Sequence, residues 1–206
     1  PQLSFEVFRP LADADTAEGL VPAVTMIPAS GEFAYATSVG RKDEGGAENV
    51  NAMAGTADLE VSLDRLEAMV PAVRSVSLVV SWFGDDLRAG HCRIRPKVEI
   101  PQKTTIPAWS VNGVTRDVAL VVSPDDQGRP VYGGAPADFS VIEAIRAIRA
   151  RGHRVTFYPF LMMDIPAGNT LPDPYSDHAA TLGQPVLPWR GRITCTPAAG
   201  FAGSED

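Results

Sequence analysis

A chain of 206 residues, 45% of them hydrophobic, has enough apolar surface for one or two domains with a packed core. Its net charge of −7 argues against nucleic-acid binding as the main business, because neutralising phosphates needs clustered Lys and Arg. No run of about twenty apolar residues offers a membrane span. Gly and Pro number 18 each and gather in long connections, the mark of loops that carry function or pack on something outside the chain.

Taken in order, Leu3, Phe5 and Val7 alternate with polar neighbours up to Pro10, the period of a half-buried strand. Residues 12–17 are acidic and alanine-rich, fit for a helical turn or a linker. An apolar run follows over 21–26, and 32–39 alternates like a second strand. The charged, Gly-rich stretch 42–51 reads as an exposed loop and the first candidate boundary. Leu59, Leu63, Leu66 and Val70 recur at helical spacing up to Pro71, so an amphipathic helix is expected there, with Ser62 as N-cap and a staple between Val61 and Leu66. That helix feeds the strand 75–86, SVSLVVSWFGDD, a nearly unbroken apolar run ending in two acids.

Residues 87–135 form an insertion, expected to fold as a small β-structured excursion on the carboxyl-end face. Cys92, Ile94, Pro96, Val98 and Ile100 alternate with Arg93, Arg95, Lys97 and Glu99, which places the basic residues on a solvated face. Another apolar run covers 118–122, and 124–128 is a turn. The clearest helix signal spans 138–151, with Asp138 as N-cap, an apolar stripe of Val141, Ile142, Ala144, Ile145 and Ile148, and Gly152 as the left-handed residue past its end. Arg146, Arg149 and Arg151 complement its dipole. The run 153–165, HRVTFYPFLMMDI, then reads as a second strand buried on both faces. Strand, crossover helix and parallel strand make a βαβ unit, and crossovers of that kind are almost always right-handed. A long loop over 166–189 leaves the carboxyl end of that strand, and 190–196 alternates again. The chain opens on Pro1 and closes in a polar run, so a piece of a longer polypeptide is expected.

In a parallel sheet Asp85, Asp86 and Asp164 stand at the same end. Two carboxylates flanking a glycosidic bond are what most glycoside hydrolases use, and Trp82, Phe83, Trp109, Tyr158 and Phe160 offer stacking faces for sugars. The plainer reading pairs those acids with an arginine such as Arg88 or Arg190. Cys92 and Cys195 lie far apart without CxxC spacing and read as small buried hydrophobes. His91, His153 and His178 lack ligand spacing, so neither a metal nor any other cofactor is expected. No GxSxG elbow, phosphate loop or GxGxxG occurs.

The runs 77–90 (SLVVSWFGDDLRAG), 92–99 (CRIRPKVE), 155–166 (VTFYPFLMMDIP) and 189–195 (WRGRITC) resemble the large baseplate hub protein of gene transfer agents and related tailed phages. The likeness extends over 62–197, and 1–46, with GEFAYAT at 31–37, is similar to the lead-in from the hub portion. The resemblance implies an α/β fold, a partial TIM-barrel-like segment of parallel βαβ units preceded by a small, mostly β remnant of a hub domain. It divides the chain into 1–46 and 47–206, the latter holding the opening units of an eight-stranded barrel. It further implies a structural component of the tail tip of a phage-like particle, a homotrimer in contact with other baseplate proteins, concerned with host contact and DNA delivery. The glycoside-hydrolase-like description of that family segment implies, as an alternative, action on a cell-envelope glycan of the host through Asp85, Asp86 and Asp164.

Overall fold

The structure is a computed structural model that describes residues 16–27, 31–43, 45–88, 90–172 and 183–187. The expected strand at 3–9, Arg190, Cys195, His178 and the segment 190–196 lie outside the described residues. The architecture is mixed α/β, and the described strands do not close into a barrel. The order is α1 (Ala17–Leu20), β1 (Ala23–Met26), β2 (Arg41–Lys42), α2 (Asp58–Met69), β3 (Ser75–Gly84), β4 (Ile94–Arg95), β5 (Lys97–Val98), β6 (Thr105–Ile106), β7 (Ser110–Val111), β8 (Val114–Thr115), β9 (Leu120–Val121), α3 (Asp138–Ala150) and β10 (Arg154–Met163).

The two apolar runs pair as their composition demands. β10 lies parallel to β3 along its full length, from Arg154 opposite Ser75 to Met163 opposite Gly84. With that edge of β3 taken, β1 and β4 share the other. β1 runs parallel against Ser75 to Leu78, and β4 antiparallel against Phe83 and Gly84. The parallel order is therefore β1-β3-β10, the order of the chain.

Both crossover helices lie on one face of this sheet. Val76, Leu78 and Val80 point to that face and pack with Leu59 and Leu63 of α2 and with Val141, Ala144 and Ile148 of α3. Leu63 and Ile148 are fully buried, each contributing about 1.5–3 kcal/mol by removal from water. Arg151, read as a complement to the dipole of α3 and standing at its C-cap, also ties the helices together. Its guanidinium reaches Glu60 (2.7 Å), Asp64 (2.7 Å) and Glu67 (2.9 Å) of α2. Gly152 takes the left-handed conformation, φ 84°, that ends α3 as expected.

Both caps differ from expectation, that of α3 by one position and that of α2 by five. Ala57 and Ala137 occupy the N-cap positions without side-chain bonds. Ser62 lies one turn inside α2, its hydroxyl donating to the Asp58 carbonyl at 2.7 Å. The acids that follow the caps hold neighbouring loops: Asp58 accepts the N–H groups of Asn51 and Ala52, and Asp138 accepts that of Asn112.

The alternating stretch 32–39 forms turns, not a strand. Side chains hold it in place. Asn49 bonds Gly40 N–H and the carbonyls of Ala36 and Ser38, and Glu143 of α3 accepts the N–H groups of Thr37 and Ser38 at 2.9 Å. Tyr35, fully buried, directs its hydroxyl at the carbonyls of Met26 in β1 and Val79 in β3.

The insertion is β-structured, in two-residue ladders: β2 with β6, β5 with β9 and the β7-β8 hairpin. Asn112 and Gly113 turn that hairpin at φ 49° and 78°, the combination that Asn-Gly supplies at least strain. Trp109, Val111, Val98 and Val122 pack with Phe33 and Phe83 into a second cluster over the carboxyl end of β3. The expected solvated face of 92–100 is broken here, since Lys97 is buried while Arg93 and Arg95 are exposed.

β10 also departs from expectation. Half of its residues are exposed and only Met163 is buried, with Phe157 52% and Tyr158 49% accessible. As the outermost strand of the described sheet it has a neighbour on one side alone, so its apolar composition is not matched by burial.

Candidate functional site

The chain leaves β3 at Gly84, where a side chain has no room: a Cβ would lie 2.8 Å from Met163 Sδ and 2.9 Å from Cys92 Sγ. Asp85 and Asp86 follow immediately and turn to different partners. Asp85 is the more open, and its carboxylate accepts the backbone N–H and the Nε–H of Arg93, each at 2.8 Å. Asp86 is 4% exposed and accepts from Arg88 N (2.8 Å), Arg88 Nε (3.0 Å), Arg88 Nη2 (2.6 Å) and Gln184 Nε2 (2.7 Å). Burial alone would push this carboxyl up, but the Arg88 guanidinium, the Gln184 amide and the Arg88 N–H outweigh it and hold it at about 2. Such a group is ionised at neutral pH and has no proton to give, so it does not suit general-acid catalysis.

Gln184 also closes the long loop. Its Oε1 accepts Leu87 N–H at 2.8 Å, its Nε2 donates to Pro172 O at 3.0 Å, and its backbone exchanges bonds with the Asn169 side chain. Leu187 N–H then bonds Ile165 O at 2.9 Å. The two ends of the loop are thereby fastened to the carboxyl ends of β3 and β10.

Asp164 ends β10, its N–H donating to Gly84 O at 2.9 Å. The side chain is 1% exposed and paired with Lys97 Nζ at 2.6 Å, with Ser123 N–H donating at 3.0 Å. Tyr132 stands beside it, and burial together with the Asp164 charge raises its phenol. The sequence placed Asp85, Asp86 and Asp164 at one end of the sheet, and all three are there. Each is engaged by a cation of its own: Arg93, Arg88 and Lys97.

A second charged cluster, which the sequence did not reveal, lies at the carboxyl end of β1. Glu32 is 3% exposed and takes a two-pronged bond from Arg116, Nη1 to Oε1 at 3.0 Å and Nη2 to Oε2 at 2.6 Å. Glu48 and Glu99 bring carboxylate oxygens within 4.8 Å of one another and of Glu32. These three could hold a cation, and the Lys103 ammonium is the cation they hold, at 2.9 Å from Glu32, 2.8 Å from Glu48 and in contact with Glu99. Burial pulls the Lys103 ammonium down, but its three glutamates raise it overall. Burial pushes Glu48 up, yet Lys103 and Lys42 bring it below the usual carboxylate range. Arg116 also stacks over Trp109, 5.7 Å from its ring centre. Gly134 is required by this cluster, because a Cβ there would meet Glu32 Cγ and Oε1 at 2.7 Å. A cleft of about 580 Å³ lies beside it, lined by Glu32, Glu48, Glu99 and Asp58 on one side and Val24, Met26 and Leu66 on the other.

The aromatic residues divide. Phe83 and Trp109 are core, the latter donating its Nε1–H to Ala135 O at 2.8 Å. Trp82 and Phe160 line an apolar groove of about 560 Å³ between β10 and α3, and Tyr158 meets Phe160 edge-on at 6.3 Å. No helix among the described residues is long and apolar enough to cross a membrane. No protein-family model matches the chain, and no curated protein matches it.

Proposed function

We propose that this chain is an architectural part of the tail-tip baseplate hub of a phage-like particle of the gene-transfer-agent type, and that it forms the opening units of a TIM-barrel-like domain there. The baseplate assignment rests on the resemblance of the four runs 77–90, 92–99, 155–166 and 189–195. For the fold, the supporting observation is the order β1-β3-β10 with α2 and α3 on one face. A (β/α)₈ barrel winds in one direction with its helices outside, whereas a doubly wound sheet reverses and carries helices on both faces. For an architectural role over catalysis, the support is the state of the acids. Asp86 and Asp164 are buried and ion-paired, and a dyad for glycoside hydrolysis needs an acid that keeps its proton and a partner open to the sugar. A fold alone assigns no activity.

The proposal is tested in particles. A small epitope fused to the carboxyl end of the full polypeptide and labelled with gold is expected at the tail tip by electron microscopy, with three labels per particle if the hub is a homotrimer. Labels on the head or along the tube, or particles that assemble and deliver DNA normally without the chain, would sink it. Release of sugars from host envelope glycan by the purified protein, lost in Asp85→Asn, would favour the hydrolase alternative.

A further inference from the structure

The tip of the β7-β8 hairpin reads Val111-Asn112-Gly113-Val114, and Asn-Gly occurs nowhere else in the chain. The dipeptide that makes this turn at least strain is also the one most open to an internal reaction. An asparagine side-chain amide lies within reach of the main-chain nitrogen that follows it, and glycine puts no side chain in the way of the approach. The reaction needs that nitrogen unbonded and the amide free to swing onto it. Both conditions hold. Gly113 N–H has no hydrogen-bond partner among the described residues, the Asn112 side chain makes no hydrogen bond, and both residues are exposed. What Asn112 does hold is Asp138 of α3, to whose Oδ2 its own N–H donates at 2.7 Å.

The other asparagines of the chain are Asn49, Asn51 and Asn169, and each is occupied. Asn49 is 2% exposed, bonds Gly40 N–H and two carbonyls, and precedes the β-branched Val50, which crowds its own nitrogen. Asn51 donates its side-chain amide to Asp58 Oδ2 at 2.8 Å. Asn169 donates to the carbonyls of Pro166 and Gln184 and accepts Gln184 N–H at 2.8 Å. The fold thus restrains three side chains and leaves the fourth loose, at the one place where glycine follows.

We propose that Asn112 is a site of spontaneous modification, at which the chain turns its own asparagine into isoaspartate and aspartate with water as the co-reactant. Gly113 nitrogen gives up its proton to hydroxide and bonds to Cγ of Asn112. The Cγ–Nδ2 bond breaks, ammonia leaves carrying a proton from water, and a succinimide ring is closed. Water then opens the ring on one side or the other, and nothing is oxidised or reduced. Breaking the new bond to Cγ gives aspartate. Breaking the bond to the α-carbonyl carbon gives isoaspartate, whose main chain runs through the former side chain and is longer by a methylene. Either product places a carboxylate on the residue already tied to the Asp138 carboxylate, so like charges are brought together. Isoaspartate also lengthens a turn whose short span fixes the pairing of Val111 with Val114. The modified hairpin therefore lets go of the first turn of α3. The chemistry rests on the turn and is independent of the baseplate assignment.

The test ages the whole chain for weeks in heavy-oxygen water at neutral and at mildly alkaline pH. Peptides are then mapped by mass spectrometry, with an isoaspartate-specific methyltransferase to report the isomer. Residue 112 is expected to carry heavy oxygen in a new carboxyl group while Asn49, Asn51 and Asn169 stay intact, and conversion is expected to be faster at the higher pH. Asn112→Gln changes an exposed position, would need a larger ring, keeps its circular dichroism and loses the signal. Amide exchange at Val111 and Val114 is expected to be faster in the aged chain than in the fresh one, and unchanged by ageing in Asn112→Gln. Survival of Asn112 for as long as the other three asparagines overturns the proposal, as does modification of Asn51 or Asn169 ahead of it. Conversion that leaves exchange at Val111 and Val114 untouched overturns the release of the hairpin.

Discussion

Replacing Lys97 with Met removes the ammonium and keeps the apolar stem. Asp164, 1% exposed, is then left with the Ser123 N–H as its remaining donor, a charge without a counter-charge in a site closed to water. Breaking a buried pair from one side costs about 3–5 kcal/mol. For a chain of this length that corresponds to a fall of about 6–20 °C in Tm. The decisive comparison is the double variant Lys97→Met with Asp164→Asn, which removes both charges and preserves an acceptor for Ser123. It is expected to recover most of the loss, because what destabilises the single variant is the stranded carboxylate more than the missing attraction. Urea unfolding of the wild type, both single variants and the double variant measures the cycle. If Lys97→Met costs under about 1 kcal/mol, the pair behaves as a surface contact and the argument from burial is wrong. If the double variant is no more stable than Lys97→Met, the loss comes from packing.

Asp86 should appear in acid unfolding. Its folded value of about 2 lies below the ordinary 3.8, so its contribution, about 2 kcal/mol from that difference, is present above pH 4 and is lost as pH falls through 2. Arg88→Met should remove part of it, and the gap in urea midpoint between this variant and the wild type should close on going from pH 6 to pH 2; a gap independent of pH refutes the pairing. Gln184→Ala strips donors and acceptor from Leu87, Asp86 and Pro172 at once. It should cost about 1–3 kcal/mol and speed amide exchange at Leu87 well before global unfolding, and unchanged exchange at Leu87 would show that the loop is held elsewhere.

What could be read from the chain follows from the range of the interactions. β3 and β10 are continuous apolar runs and α2 and α3 carry apolar stripes, all written within single segments, so the pairing of the strands and the buried faces of the helices were legible. The acids at the strand ends were legible as positions, and Arg88 as one of two arginines offered to them, while its pairing with Asp86, two residues away, came from the structure. Lys97 was misplaced because alternation marks it as solvated, while its fate is set by Asp164, 67 positions away. Likewise Glu32 and Arg116 lie 84 positions apart, and Glu48 lies 55 positions from Lys103, so although Glu99 and Lys103 share one connection four residues apart, no spacing announces the cluster. The exposure of β10 was invisible for another reason: composition reports what a strand would bury, and burial requires a neighbour.

The hydroxyl of Tyr35 shows how a segment can serve a sheet without joining it. It reaches carbonyls of β1 and β3 from within a turn, acting as a borrowed rung at the level where β1 stops. A short first strand can thus be secured by one phenol, leaving the chain from 31 to 43 free to turn away and place Glu32 in its cluster. In evolutionary terms the two duties are separable. Changes to the loop that keep Tyr35 in reach leave the strand register alone, so the acidic cluster can be remodelled without disturbing the sheet beneath it.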